Sequence, residues 1–298
     1  MKNCRFKLGV SRSNPLIPWL FLSPLLIVNI LVILGPGVGS VYFALTKWSG
    51  LGAAEFIGLA NFARMLEDPV YHKALTNNVK WTIIFLTVPI AMSLVAAYLL
   101  SAVKKGQLVF RLAFFLPYVL PSVVNAHIWQ TLFHPFRGIG AQLRKAGYPF
   151  LDLKFFGDTN IVLYSIAFVD NWHWWGFLVV VFLAAMQGID PSLYEAARID
   201  GANRFAQFRY ITIPGIRPTL VFMMLMTTIW SFLVFDYIYI LTQGGPANAS
   251  EVLGTYAYKL AFTRFEAGYA AAVGVTMSII TGMIVSLFLY LRRRGWEI

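Results

Sequence analysis

Apolar residues run along this chain in six long blocks, at about 16–45, 79–100, 111–133, 161–184, 217–241 and 269–291. Each is long enough to cross a bilayer, which takes ~20 residues in a helix. Inside lipid every backbone N–H and C=O must be paired within the protein, so a spanning segment is either a helix or a strand of a closed barrel. The blocks show no period-two alternation of the barrel type. The pattern predicts an all-α integral membrane protein with six transmembrane helices. A polar segment 1–15 precedes a single membrane domain, 16–298. The first block follows Lys2, Arg5, Lys7 and Arg12, as a secretory signal would. Its run from Leu16 to Leu45 far exceeds the ~7–15 apolar residues of a signal core, so it reads as a retained helix, bent at Pro24 and Pro36.

Composition supports this reading. Hydrophobic residues make up 58% of the 298, and charged residues only 12%, about half the share of soluble domains. The net charge of +11 could suggest nucleic acid, but the basic residues flank the apolar blocks and are a topology signal. With both termini in the cytoplasm, 14 of the 24 Lys and Arg fall on the inside, among them Lys104, Lys105 and Arg111 in the first inner loop and Arg292, Arg293 and Arg294 at the end. This predicts a multi-pass protein of a prokaryotic plasma membrane with N- and C-termini cytoplasmic. Lipid is then its surrounding partner, and nucleic acid is not expected. The single cysteine, Cys4, offers no disulfide or metal cluster. No Gly-x-x-x-x-Gly-Lys-[Ser/Thr] loop, His-Glu-x-x-His pair or Gly-x-Ser-x-Gly elbow occurs, so no ATP site, metal site or catalytic residue is expected in this chain.

The most structured connection is 185–216, placed in the cytoplasm. Asp190 stands as an N-cap and Pro191 at the first helical position. Gly201 ends that helix, Asn203 can cap a second short one, and Pro214 precedes the next span. Any amphipathic connector could carry these signals. The spacing says more: Glu195-Ala196-Ala197, three residues, Gly201, nine residues, Ile211, one residue, Ile213-Pro214. It resembles the EAA motif of binding-protein-dependent ABC importer permeases, with Ile213 where Leu is usual. Leu116-Pro117-Tyr118 with Pro121-Ser122, and Leu241-Thr242-Gln243-Gly244-Gly245-Pro246, extend the resemblance over nearly the whole chain. They are similar to the permeases of the maltose, glycerol phosphate and oligosaccharide importers, in the compact six-helix form.

Substrate residues can be sought without the family. Asp170, Trp174 and Phe177 fall on one face of the fourth block, with His173 beside them. Asp170 lies about nine residues, or roughly 14 Å, into that block at 1.5 Å per residue. An ionisable residue at that depth is a functional candidate. Tyr118 and Ser122 are spaced i, i+4 in the third block, and Thr227, Ser231 and Val234 form a stripe in the fifth. Aromatic faces and hydroxyls are what a sugar requires. Each residue has a plain structural alternative. Ser and Thr often bond their own helix or a neighbour, tryptophans pack helices, His173 can be a packing residue, and Asp170 can pair with another helix. Asp236 fits an outer vestibule or a subunit contact. No Lys or Arg sits well inside any block, which leans toward a neutral saccharide over an anionic one.

The resemblance implies the type I ABC importer permease fold. It implies an activity, translocation of a sugar or oligosaccharide by alternating access. It implies partners: two ATP-binding subunits that hold ATP and Mg, a second homologous permease, and an extracellular or periplasmic solute-binding protein. Glu195, Ala196, Ala197, Asp200, Gly201, Ile211 and Pro214 would form the ATPase-coupling loop. Tyr118, Ser122, Asp170, His173, Trp174, Phe177, Thr227 and Ser231 match positions that contact sugar in the maltose-type permease. Trp174 stands where that permease has glycine, and Val234 where it has asparagine. The alternatives are an ion-coupled secondary carrier using Asp170 and His173, a permease for glycerol phosphate or another small polar solute, or an intramembrane enzyme. Paired inverted repeats and discontinuous helices would mark a carrier, and the blocks give no sign of either.

Overall fold

The computed structural model describes residues 16–103, 105–148 and 153–293. The polar segment 1–15, Lys104, Arg294 and Glu297 lie outside the described residues, and with them part of the charge pattern that oriented the chain.

The first block is helical throughout: α1 (Leu16–Asn29), a π-helical stretch (Ile30–Leu34) and α2 (Gly35–Ala44). Pro36 cannot donate to the helix ladder, and the wider π turn immediately before it keeps the segment running as one span, Pro18–Ala44. A two-stranded ribbon, β1 (Thr46–Lys47) with β2 (Glu55–Phe56), and α3 (Ala60–Glu67) follow. Next comes the longest helix, α4 (Pro69–Ser101). It begins ten residues before the predicted 79, because its first turns carry His72, Lys73, Asn77 and Asn78 and are too polar to read as part of a span. Asp68 caps it, accepting from the amides of Val70 (2.8 Å) and Tyr71 (3.2 Å).

The third block is not one straight helix. It divides into α5 (Gln107–Val119) and α6 (Ser122–Leu132), bent by 93°. Pro121 drives the residue before it out of the helical region, and Leu120 is extended at φ −70°, ψ 134°. Tyr118 and Ser122 therefore flank a break instead of sharing a helix face. A short α7 (Ile139–Lys145) leads to α8 (Val162–Met186), close to the predicted fourth span. The connection 185–216 holds α9 (Pro191–Ile199), α10 (Arg204–Gln207), a π-helical stretch (Phe208–Thr212) and α11 (Ile213–Gly215).

The fifth block is also shorter than predicted. α12 (Arg217–Phe232) stops nine residues early, and after a break at 233–235 the chain resumes as α13 (Asp236–Thr242). Val234 is therefore off the stripe of Thr227 and Ser231. α14 (Leu253–Phe262) and the last span, α15 (Ala267–Arg293), complete the order. Four continuous helices are long and apolar enough to cross a membrane. Two bent pairs, α5 with α6 and residues 204–215 with α12, bring the number to six. The discontinuous helices that the sequence gave no sign of are thus present.

α4 is the spine. Its start (Tyr71, Ala74) packs with α14 and α15, its middle (Trp81, Phe85) with α6, α8 and α13, and its end (Ile90, Ala97, Leu100) with the last turns of α8. Asp68 ties the first of these layers together by accepting from the hydroxyls of Tyr256 and Tyr269. Burial raises the pKa of Asp68, but hydrogen bonds from the two tyrosines and two amides outweigh it and hold the carboxyl below its ordinary value. By contrast none of the best window of α1–α2 is buried within the chain. That face is left for lipid or another subunit.

Helix α5 crosses α8 at close range. A Cβ built on Gly176 would lie 1.8 Å from the carbonyl oxygen of Phe114, which is backbone and cannot swing away. Gly176→Ala should destabilise the detergent-solubilised protein by about 1–3 kcal/mol, the cost of overpacking, read as a lower melting temperature. Gly37→Ala, with nothing within 4 Å of its new methyl group, should be neutral or slightly stabilising. Equal shifts in the two variants would refute the close-approach account.

Candidate functional site

A cavity of about 290 Å³ opens where the broken helices meet α4 and α8. Seven of the eight predicted substrate residues line it: Tyr118, Ser122, Asp170, His173, Trp174, Thr227 and Ser231. Phe177 does not. It lies behind the wall, stacked on Tyr118 (4.7 Å between centroids, 22°) and against Trp174, and so holds those rings in place. The sequence reading missed Trp81 and Phe85, which stack on each other along α4 (5.0 Å, 15°). It missed Trp230, edge-on to Trp174 (4.8 Å, 89°). It also missed Leu233, Phe235 and Tyr237, which join Val234 and Asp236 in the wall. The tryptophan in α4 lies three residues after Asn78, and that polar-then-aromatic pattern at the head of a span was the available signal.

Chain breaks make the cavity, and side chains make the breaks tolerable. A helix that stops leaves its last carbonyls without partners. Where α12 ends, Asn78 donates to the carbonyls of Ser231 (3.2 Å) and Phe232 (3.4 Å) and accepts from the amide of Leu253 (2.8 Å). Asn77 donates to the carbonyls of Ala249 (3.0 Å) and Glu251 (2.8 Å). Thr82 shares a 2.7 Å hydrogen bond with the hydroxyl of Ser231. At the other break, Nε2 of His173 is 3.1 Å from the carbonyl of Leu120, and Asn125 donates to the Tyr237 hydroxyl (2.8 Å). His173 and Ser231 therefore serve both the scaffold and the cavity wall.

Behind α13 the chain turns tightly through Gln243, Gly244, Ala247 and Asn248, all at positive φ. The fully buried Glu251 fills the space beside Gly244, where a Cβ would come within 2.2 Å of its carboxylate. Lys259 pairs with Glu251, and the Thr255 hydroxyl donates to it (2.7 Å). The sequence Thr242-Gln243-Gly244-Gly245-Pro246 thus builds the shelf on which the second break rests.

The polar groups of the cavity differ in how well they are satisfied. Asp236 sits at the start of α13 and accepts from the Ser122 hydroxyl at 3.2 Å. Asp170, eight residues or about 12 Å along α8 by the helical rise, has no hydrogen bond or ion pair among the described residues. Thr227 is 2% exposed, and its hydroxyl has no partner. The buried indole N–H of Trp174 has none either. No Lys or Arg lines the cavity among the described residues. The arrangement offers aromatic faces, hydroxyls and carboxylates to a small polar molecule. No group of three metal-ligating side chains occurs among the described residues.

At the end of the bundle, the connection 185–216 is built as its caps predict. Asp190 accepts from the amide of Ser192 (2.9 Å), Gly201 adopts φ +80°, and Asn203 accepts from the amide of Ala206 (2.8 Å). No residue of α9 is buried. Glu195, Ala196, Asp200, Gly201 and Pro214 are exposed, and Ala197 and Ile211 half-buried. Leu193, Ile199, Phe205 and Tyr210 are exposed apolar side chains on the same connection. The loop is not loose: Tyr194 bonds Thr212 (2.9 Å), Tyr98 of α4 donates to the carbonyl of Arg204 (2.9 Å), and Ile189 packs where a side chain on Gly215 would have to go.

Residues 89–295 match the family described as the binding-protein-dependent transport system inner membrane component. The chain is 38% identical to the probable ABC transporter permease protein YurN of Bacillus subtilis, over 90% of this chain and 93% of that one. It is 31% identical to the lactose transport system permease protein LacF of Rhizobium radiobacter, over 91% of each. Its fold is similar to a chain of the bacterial alginate ABC transporter, solved in complex with an alginate pentasaccharide-bound periplasmic protein. The TM-score there is 0.83 at 23% identity, covering 94% of this chain and 95% of that one.

Asn78 is the hinge pin of the second break. Asn78→Leu keeps the shape but leaves the Leu253 amide and the Ser231 and Phe232 carbonyls without their partner. Each buried orphan costs about 1–3 kcal/mol, so the melting temperature should fall clearly. Asn29→Leu, which removes only an exposed bond to its own helix, should change little. An Asn78→Leu protein as stable as wild type would show that the break does not depend on it.

Proposed function

We propose that this chain, which belongs to the binding-protein-dependent transport system inner membrane components, lines one half of a membrane pathway for a sugar or oligosaccharide. It is a multi-pass membrane protein and the permease subunit of an ABC importer for sugars. The inferred partners are two ATP-binding subunits that hold ATP and Mg, a second homologous permease, and an external solute-binding protein. The alginate transporter carries such a periplasmic protein. The inferred setting is a prokaryotic plasma membrane with both termini in the cytoplasm.

One observation carries the mechanism: the exposed loop and the cavity share the same two helices. α8 brings Asp170, His173 and Trp174 to the cavity and ends at Met186, where the loop begins. α12 starts where the loop ends and brings Thr227, Trp230 and Ser231. A partner that grips α9 therefore moves both walls together, because Tyr194–Thr212 and Ile189 against Gly215 lock the loop to both helix ends. In the proposed cycle the binding protein delivers the sugar outside. ATP binding then closes the ATPase dimer against α9 and so moves the spans, and hydrolysis resets the inward-open state. Glu195 and Asp200 present charge, and Ala196, Ala197 and Gly201 allow close approach. The exposed Leu193 and Ile199 supply apolar area for the grip.

The broken helices would also suit an ion-coupled carrier, but such a carrier has no use for the exposed, rigidly tied loop. Glycerol phosphate fits less well, because its phosphate would meet two carboxylates and no cation among the described residues.

The complex isolated in mild detergent from its native membrane should contain, by mass spectrometry, an ATPase and a second permease in stoichiometric amounts. Glu195→Lys with Gly201→Asp should lose the ATPase while keeping the second permease. Glu195→Lys alone, on an exposed position that keeps the fold, should weaken its retention. Recovery of the wild-type chain alone, at any detergent mildness, would overturn the importer reading.

A further inference from the structure

The charges inside the cavity are not balanced. Asp170 and Asp236 both line it. Asp236 accepts a hydrogen bond from the Ser122 hydroxyl. Asp170 has no such bond and no ion pair among the described residues, and no described Lys or Arg lines the cavity. A carboxylate in a low-dielectric bundle needs a counter-charge. Neutral sugar hydroxyls can donate hydrogen bonds to it but bring no charge. In the same cavity wall the hydroxyl of Thr227, a residue only 2% exposed, has no partner among the described residues. Trp81, Trp174 and Trp230 complete the wall. Tryptophan faces attract cations as well as the C–H faces of sugars. A sugar with neutral substituents would use the rings and leave Asp170 unbalanced. One with an ammonium group would use both.

Resting on the sugar-importer reading, we propose that the transported saccharide carries a cationic amino group, and that Asp170 is the specificity residue that pairs with it. Thr227 supplies a hydrogen bond beside that ion pair, and the tryptophans hold the ring. A negatively charged saccharide is disfavoured by the same two carboxylates.

The test uses the complete complex, this chain with its second permease and ATPase, in lipid nanodiscs. Calorimetric titration compares three disaccharides with one β-1,4-linked glucose skeleton: the glucosamine dimer, its N,N′-diacetyl form and cellobiose. They differ at position 2 only, as ammonium, acetamide and hydroxyl. The wild-type complex should bind the glucosamine dimer at least ten-fold more tightly than the other two. Asp170→Asn should remove that preference, bringing the glucosamine dimer down to the affinity of cellobiose for the same variant, and Asp170→Glu should retain it. Unchanged ATPase retention and melting temperature in both variants would show that the fold is intact. Equal binding of all three sugars by wild type, or a preference that survives Asp170→Asn, overturns the inference and leaves the importer reading standing. No binding of any of the three by a complex that retains its ATPase also overturns the inference. A chain that recovers no ATPase overturns the importer reading itself.

Discussion

Backbone groups buried away from water must be paired, and two helices of this bundle stop in its interior. The pairing of those broken ends is the interaction on which the rest depends. Without Asn78 across the end of α12 and His173 on the carbonyl of Leu120, the open N–H and C=O groups would favour regular helix, and the cavity would close. The partners come from α4 and α8, which are themselves continuous. Two unbroken helices thus underwrite two broken ones. This is how non-helical backbone is tolerated at membrane depth: it is buried in protein or lines a cavity. Glu251 extends the same logic outward. Buried and paired with Lys259 and Thr255, it fills the space left by Gly244 and fixes the turn that α13 leans on.

The aromatic side chains do a second task on this frame. Phe177 touches no cavity, yet it sets Tyr118 and Trp174, which do. Ring-on-ring packing leaves few free rotamers, so the wall keeps its shape when α8 moves. In the proposed cycle movement enters from the loop, whose ends are the ends of α8 and α12. A rigid wall on a movable pair of helices is what alternating exposure of one site requires. α1 stands outside this unit with its apolar side chains largely exposed, while α2 packs along α15, and the exposed surface of α1 is left for lipid or a neighbouring subunit.

The continuous spans were legible because apolar composition over 20 or more residues is a strong signal that tertiary contacts seldom override. The loop was legible to the level of individual caps, since Asp190, Gly201 and Asn203 act through local geometry. The breaks were read poorly for two different reasons. At Leu120–Pro121 the signal was present: proline displaces the residue before it from the helix, but the apolar run continued on both sides. At 233–235 no local signal exists. Leu233, Val234 and Phe235 are good residues for a span, and what stops the helix is Asn78, more than 150 residues away in sequence. The candidate site was mostly legible because polar and aromatic residues in an apolar block stand out. Phe177 was misplaced because a helical face is wider than a cavity wall. Trp81 and Phe85 were passed over because their one signal, the polar Asn78 just before them at the head of the span, lies where the apolar block had not yet begun.

Two buried polar groups of the cavity wall stand unpaired. In the layer of α4, α13 and α14, Asn77, Asn78, Ser250, Glu251 and Thr255 all find partners. The Thr227 hydroxyl and the Trp174 indole N–H, both in the cavity wall, have none among the described residues. Each buried orphan costs about 1–3 kcal/mol against the same group paired. A scaffold gains nothing by carrying that cost, whereas a transport site does, because its partner arrives and leaves. Full internal satisfaction would leave the substrate no bond to gain on entry. Permanent pairing to a second chain would leave it none to exchange on exit. The unpaired Trp174 and Thr227 groups of the cavity wall lie on α8 and α12, the helices joined by the loop that an ATPase would move in the proposed cycle. The strain of unsatisfied polarity and the lever that relieves it are therefore built into the same pair of helices.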